Sequence, residues 1–286
     1  MKKDRILQFL LNYAESQEAV SLVWLDGSRA FGMVDDYSDY DILFVTRNNK
    51  SYLNKAILPI LEEEFGDIAV MQVPDNRDSE KIYTLLMQFQ SSLRIDLTFQ
   101  TYDSFIEQPF SSSKATLLMD KDGKVENPPM VSDVDFQLKK PTEAGFQKRC
   151  NEFWWLAPYL AKAVARGQLL QALEILNRYL RPEYAQMLGY LAGAVHDFQA
   201  VNLGKSFNDL NEFLPAEKLY YYDVLLASYA KADLKEISGV LSSLMTNYAR
   251  LEAEVAELLT FSWNELEAKG TQEFISKGFL KWDLRS

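Results

Sequence analysis

Hydrophobic positions in the first half of the chain switch repeatedly between two periods. Over residues 4–16, Ile6, Leu7, Leu10, Leu11 and Tyr13 recur at helical spacing, which predicts an amphipathic helix. Residues 20–25 form a short apolar run ending at Asp26-Gly27-Ser28, the pattern of a buried strand meeting a turn. A second strand is predicted at 41–45, a helix at 52–65 closed by Gly66, and a third strand at 68–73 stopped by Pro74. At 93–99, Leu93, Ile95, Leu97 and Phe99 alternate with Arg94, Asp96 and Thr98, as in a half-buried strand. A short strand at 116–119 then enters the Asp120-Lys121-Asp122-Gly123 turn. These elements predict a compact unit built on a mixed sheet.

Residues 125–141 contain Pro128, Pro129 and Pro141 with little periodicity, and they read as a linker. Beyond Thr142 the strand patterns stop. Helices are predicted at 142–166, with Thr142 as cap, at 169–194 after Gly167, and at 217–229, 234–259 and 263–276. The expected fold class is α+β, with a mixed-sheet domain over residues 1–135 and an all-helical bundle over 136–286.

Composition narrows the function. The 286 residues are 48% hydrophobic and 13% aromatic, enough to bury the cores of two domains and too apolar for a disordered chain. A single cysteine, Cys150, excludes an internal disulfide and a cysteine zinc cluster. One histidine, His196, removes multi-histidine metal sites and most catalytic triads. The start is basic, but Asp4, Arg5 and Gln8 interrupt its short apolar stretch, so it reads as an amphipathic helix and not a signal peptide. No apolar run approaches the ~18 residues of a membrane span, so a soluble cytoplasmic protein is expected. Thirty basic against 41 acidic residues, a net charge of -11, argue against a nucleic-acid binder and permit a cationic small molecule as partner.

The chemistry concentrates in Asp26-Gly27-Ser28-Arg29 and Ser38-Asp39-Tyr40-Asp41. Residues two apart on a strand share a face, so Asp39 and Asp41 are expected to project together. Paired hard-oxygen ligands suit Mg2+ carrying a nucleotide triphosphate such as ATP. Gly27 and Ser28 close the preceding strand where backbone N–H groups and a hydroxyl can hold phosphate oxygens, and Arg29 is grouped with them as nucleotide-binding. Asp96, on the polar face of its strand, is the candidate third carboxylate, as a metal ligand or as the base for an attacking hydroxyl.

This constellation resembles the polymerase-beta-type nucleotidyltransferase superfamily. Within it, LDGSRA, SDYDILF, RIDLTF, LLMDKDG, SDVDF, KKPT, CNEFWWLAPYLAK and NLGK resemble in order the aminoglycoside 6-adenylyltransferase (streptomycin adenylyltransferase) family, from about Leu7 to Phe279. The resemblance implies a nucleotidyltransferase domain followed by a helical domain, and AMP transfer from ATP to an aminoglycoside hydroxyl, an antibiotic-resistance activity. It implies metal-binding roles for Asp39 and Asp41, a metal or general-base role for Asp96, and triphosphate contacts for Gly27 and Ser28. Tyr190 replaces a tryptophan familiar in the family, and Pro182 a polar residue. Alternatives are another hydroxylated acceptor, such as a lincosamide, or a non-catalytic nucleotide-binding or antitoxin-like module.

Other signals compete. Gly204-Lys205-Ser206 resembles the end of a P-loop, but Gln199 occupies the place of the required first glycine. Lys205 remains a candidate triphosphate contact from the helical half. Glu152 is a candidate contact for a polycationic sugar, with Glu183 and Asp197 weaker candidates for the same role. The second Asp-x-Asp, Asp133 and Asp135, lacks a Gly-Ser turn and reads as structural or surface. His196 reads as a helix-end residue, Cys150 as a buried small side chain, and Phe153 and Trp154 as core.

Overall fold

The computed structural model describes residues 4–32, 34–53, 55–108, 113–229 and 232–279. The chain divides into two compact units, Met1–Asp135 and Phe136–Ser286. No helix among the described residues is long and apolar enough to cross a membrane.

The first unit opens with α1 (Arg5–Ser16), started by Asp4, whose carboxylate accepts from the backbone N–H groups of Ile6 and Leu7. Its far end is closed by Lys121, whose Nζ donates to the carbonyls of Ala14, Glu15 and Gln17 at 2.8, 2.9 and 2.9 Å. A cation there meets both the orphan carbonyls and the negative end of the helix dipole. There follow β1 (Val20–Asp26), α2 (Gly27–Phe31), β2 (Tyr40–Thr46), α3 (Lys50–Leu53), α4 (Leu58–Phe65) and β3 (Ile68–Gln72). The unit continues through β4 (Ile82–Phe89), β5 (Arg94–Thr101), α5 (Tyr102–Glu107) and β6 (Thr116–Asp120).

The six strands form one sheet in the order β3-β4-β5-β2-β1-β6. Only β2 and β5 run parallel among the paired strands. Both faces of the central strands are covered, which explains the consecutive apolar residues at 22–25 in β1 and 42–45 in β2. Val23, Leu25, Ile42, Phe44, Leu97 and Phe99 pack on one face with Leu10 of α1 and Leu61 of α4. Leu22, Trp24, Leu43 and Val45 pack on the other with Phe105 of α5.

Two expectations change here. The helix read over residues 52–65 is two helices, because Pro59 has no N–H to give the carbonyl of Lys55 and Lys55 turns to φ +59°. Strand β4 escapes the sequence pattern because Leu85, Leu86 and Met87 are consecutive apolar residues with no clean alternation.

The second unit holds α6 (Glu143–Ala165), α7 (Leu169–Ile175), α8 (Arg181–Val195), α9 (Leu219–Ala227), α10 (Leu234–Leu259) and α11 (Glu265–Gly278). The Thr142 hydroxyl caps α6 by accepting from Gly145 N–H, and Gly167 at φ +70° ends the turn after it. The single helix expected over 169–194 is interrupted by a π turn at Leu176–Leu180, just before Pro182, which cannot donate the ordinary helical bond. Helix α10 packs against α6, α7, α8, α9 and α11. At its centre Tyr248 stacks on Phe153 with ring centroids 3.6 Å apart, and Trp154 meets both edge-on.

Candidate active site

The parallel pairing of β2 with β5 sets Asp41 directly beside Asp96. On the other side of β2, the antiparallel pairing sets Asp26 opposite Asp41. Strand alternation assigns all three to the sheet face opposite Val23, Leu25, Ile42 and Leu97. Three carboxylates from three adjacent strands thus form one row. Asp39 lies just before β2 and joins them through Arg94.

Arg94 sits two residues before Asp96 on the same face of β5. Its Nε donates to Asp96 Oδ1 at 3.0 Å and its Nη2 to Oδ2 at 2.8 Å, a bidentate pair, while Nη1 lies 3.3 Å from Asp39 Oδ2. One guanidinium therefore bridges two of the expected site carboxylates.

The electrostatic consequence falls on Asp41. Burial pushes its carboxyl up to about 6, the charges of Asp96, Asp26 and Asp39 add to the rise, and Arg94 opposes it. Such crowding of hard oxygen donors, short of positive charge, is a setting that a divalent cation fits. Among the described residues, however, no three acidic, histidine or cysteine side chains already converge as a metal cage. The donor chemistry fits Mg2+, and the guanidinium presently occupies part of the space between the donors.

Gly27 leads the turn beside this row. It holds φ +76°, a conformation that favours glycine, and an added Cβ would lie 2.8 Å from Asp41 Oδ2. Gly27 and Ser28 open the five-residue helix α2, and no side-chain bond caps it at Asp26. The backbone groups expected to meet phosphate are thus adjacent to the carboxylate row.

Arg29, grouped in the sequence with the nucleotide-binding residues, makes contacts within the protein. Its Nε donates to the carbonyls of Ser38 and Asp39 at 3.1 Å each, and Nη2 to Ser38 at 2.8 Å. The guanidinium also lies 3.7 Å above the Tyr40 ring and 3.5 Å from Asp4 Oδ2. Asp4 in turn accepts from the Tyr40 hydroxyl. Arg29 therefore fastens the segment carrying Asp39 to the start of α1.

In the helical unit, Glu183 is buried. Arg149 Nη1 donates to its Oε1 at 2.7 Å, and Oε2 has no hydrogen-bond partner among the described residues. Burial raises the carboxyl above its ordinary range, Arg149 opposes this, and the charge of Glu152 adds to it. The two acids expected from sequence thus feel one another across α6 and α8. Lys205 is exposed, in a segment where Asp197, Phe198, Ala200, Ser206 and Phe207 all hold φ between +51° and +63°. Left-handed backbone at five non-glycine residues is costly, and such strain collects at functional segments.

The remaining motifs have structural uses. Asp135 Oδ2 accepts from the Ser113 backbone N–H at 2.7 Å. His196 caps the end of α8, with Nε2 3.1 Å from the carbonyl of Phe213. Cys150 is buried, and burial pushes its thiol up.

Sequence reading gave Asp26 and Arg94 no role in the site. The signal for Arg94 was its spacing of two from Asp96. Asp26 carried none, because its register opposite Asp41 is a property of the sheet.

A family model described as streptomycin adenylyltransferase matches residues 1–277. The chain is 29% identical over 266 residues to an aminoglycoside 6-adenylyltransferase of Campylobacter jejuni, covering 90% of this chain and 89% of that protein. It is 30% identical over 233 residues to an aminoglycoside 6-adenylyltransferase of Staphylococcus aureus, covering 78% and 80%. A crystal structure of an aminoglycoside 6-adenyltransferase from Bacillus subtilis aligns over 97% of this chain and 98% of its own, at 23% identity and a TM-score of 0.46.

Proposed function

The chain belongs to the streptomycin adenylyltransferase family, and from that premise we propose that it transfers AMP from magnesium-bound ATP to a hydroxyl of an aminoglycoside, releasing pyrophosphate. The observation that carries this reading is the row Asp26, Asp41 and Asp96 beside the Gly27 turn.

In this reaction the acceptor oxygen attacks the α-phosphorus of ATP. A new P–O ester bond forms, the bond to the β-phosphate oxygen breaks, and the hydroxyl proton goes to a carboxylate oxygen of Asp96. Asp39, Asp41 and Asp96 would hold the divalent cation, which would supply stabilisation of the charge developing on the phosphoryl oxygens. The backbone at Gly27 and Ser28 orients the triphosphate, and Lys205 is kept as a further candidate phosphate contact on its charge alone. Arg29 acts by holding Asp39 in place.

The acceptor is cationic, and Glu152 with the half-satisfied Glu183 supplies carboxylate oxygens for its ammonium groups. The unpaired Glu183 Oε2 supports this assignment, because a buried carboxylate oxygen without a donor costs stability unless a ligand completes it.

The test incubates the protein with ATP, Mg2+ and single aminoglycosides, with a lincosamide in parallel. Pyrophosphate release and the mass of each acceptor are read together. Addition of one AMP to an aminoglycoside is the expected result. Addition to the lincosamide alone, or ATP turnover with no modified acceptor, would overturn the proposed acceptor class.

A further inference from the structure

Arg94 is the basic side chain set among the carboxylates that the proposed reaction assigns to a divalent cation. Its three nitrogen contacts are directed at two of them, both oxygens of Asp96 and one of Asp39. The position follows from strand geometry, since residues 94 and 96 share a face of β5. The head group is partly exposed, with 40% of its side chain accessible against 15% for Asp96, so it can swing outward without leaving a buried cation stranded.

Charge balance gives this arrangement a consequence. Four carboxylates, Asp26, Asp39, Asp41 and Asp96, act on one another here, and repulsion among them opposes folding unless a cation offsets it. A divalent ion entering the site would meet a positive guanidinium already bonded to two of its ligands. Like charges at such range repel, and oxygen lone pairs given to Arg94 are not available to the ion.

We propose that Arg94 is a built-in counter-ion, a positioning residue that holds Asp39 and Asp96 together in the metal-free protein and releases them when the divalent cation binds. Arg94 thereby weakens cation binding in exchange for a preformed site. This rests on the reading of Asp39, Asp41 and Asp96 as metal ligands.

The experiment measures Mn2+ binding to the nucleotide-free full chain by calorimetry, together with thermal unfolding with and without Mn2+. The proteins are wild type, Arg94→Gln, Arg94→Lys and Asp41→Asn. Arg94→Gln should bind Mn2+ about tenfold tighter than wild type, since a repelling charge is gone. It should melt lower than wild type without metal and regain the difference at saturating Mn2+. Arg94→Lys, whose single ammonium cannot grip both carboxylates, should fall between, and it carries the test if the glutamine variant does not fold. A merely structural arginine would lower Mn2+ affinity when replaced, so unchanged or weaker binding by Arg94→Gln and Arg94→Lys overturns the proposal while wild-type binding stands. If Asp41→Asn binds Mn2+ as wild type does, or if no variant binds it, the metal-ligand reading itself fails and this proposal falls with it.

Discussion

A Cβ added to Gly27 would lie 2.8 Å from Asp41 Oδ2, so the turn after β1 and the first carboxylate of β2 share this corner only while residue 27 lacks a side chain. Two costs separate at this position. The φ of +76° penalises any other residue in stability, whereas the crowding acts on the carboxylate, which can rotate away at little cost to the fold. Gly27→Ala should therefore lose about 1–3 kcal/mol of stability. Turnover should fall by about 10²-fold, because a displaced ligand misplaces the reacting atoms. Urea unfolding and steady-state rates on one preparation check both, and a near-normal rate would remove Asp41 from the chemistry.

Asp96 has two separable roles. As a ligand alone, its loss should lower metal affinity, and excess Mg2+ should restore the rate. As the base, Asp96→Asn should stay slower by ~10²–10⁴-fold even at saturating metal. The second outcome is expected. Turnover measured against Mg2+ concentration, with ATP binding followed separately, decides between them.

Lys205 stands in the strained segment of the helical unit. Lys205→Ala should weaken ATP binding by about tenfold, the scale of one lost charge-assisted contact, and leave aminoglycoside affinity unchanged. Calorimetric titrations with each ligand read this directly. Equal ATP affinity would return Lys205 to an ordinary surface lysine.

Glu252 offers a pH test away from the site. It is only 1% exposed, its two oxygens each lie 3.0 Å from Trp154 Nε1, and burial pushes its carboxyl up to about 7. The folded state keeps a proton that the unfolded chain releases near its ordinary value of 4.5. Stability from this residue is therefore full below about 4.5, declines as pH rises toward 7, and is flat above. Glu252→Gln cannot titrate and still accepts from Trp154, so it should exceed wild type at pH 8 by on the order of 2–3 kcal/mol and match it near pH 4.5. Urea unfolding at the two pH values measures the difference, and parallel behaviour would show that Glu252 stays ionised in the fold.

Local pattern by itself determined most of the elements. The stripe of Leu10 and its neighbours, the apolar runs of β1 and β2, the alternation around Asp96, and the caps at Thr142 and Gly167 each act within one turn or one strand. Their physics is visible in a short window of residues. Pairing is not. That Asp41 lies beside Asp96 and opposite Asp26 depends on which strand hydrogen-bonds to which, and residues 41 and 96 are brought together only by the parallel register of β2 and β5. Spacing alone pairs Arg94 with Asp96, but its second carboxylate, Asp39, and the carbonyls that Arg29 meets come from the folded chain. Strand β4 and the π turn before Pro182 belong with these, since one owes its place to neighbours on the sheet and the other to packing that holds a helix together across its proline. The types of the chemical groups were legible in sequence, and their distances, charges and partners were decided by the sheet.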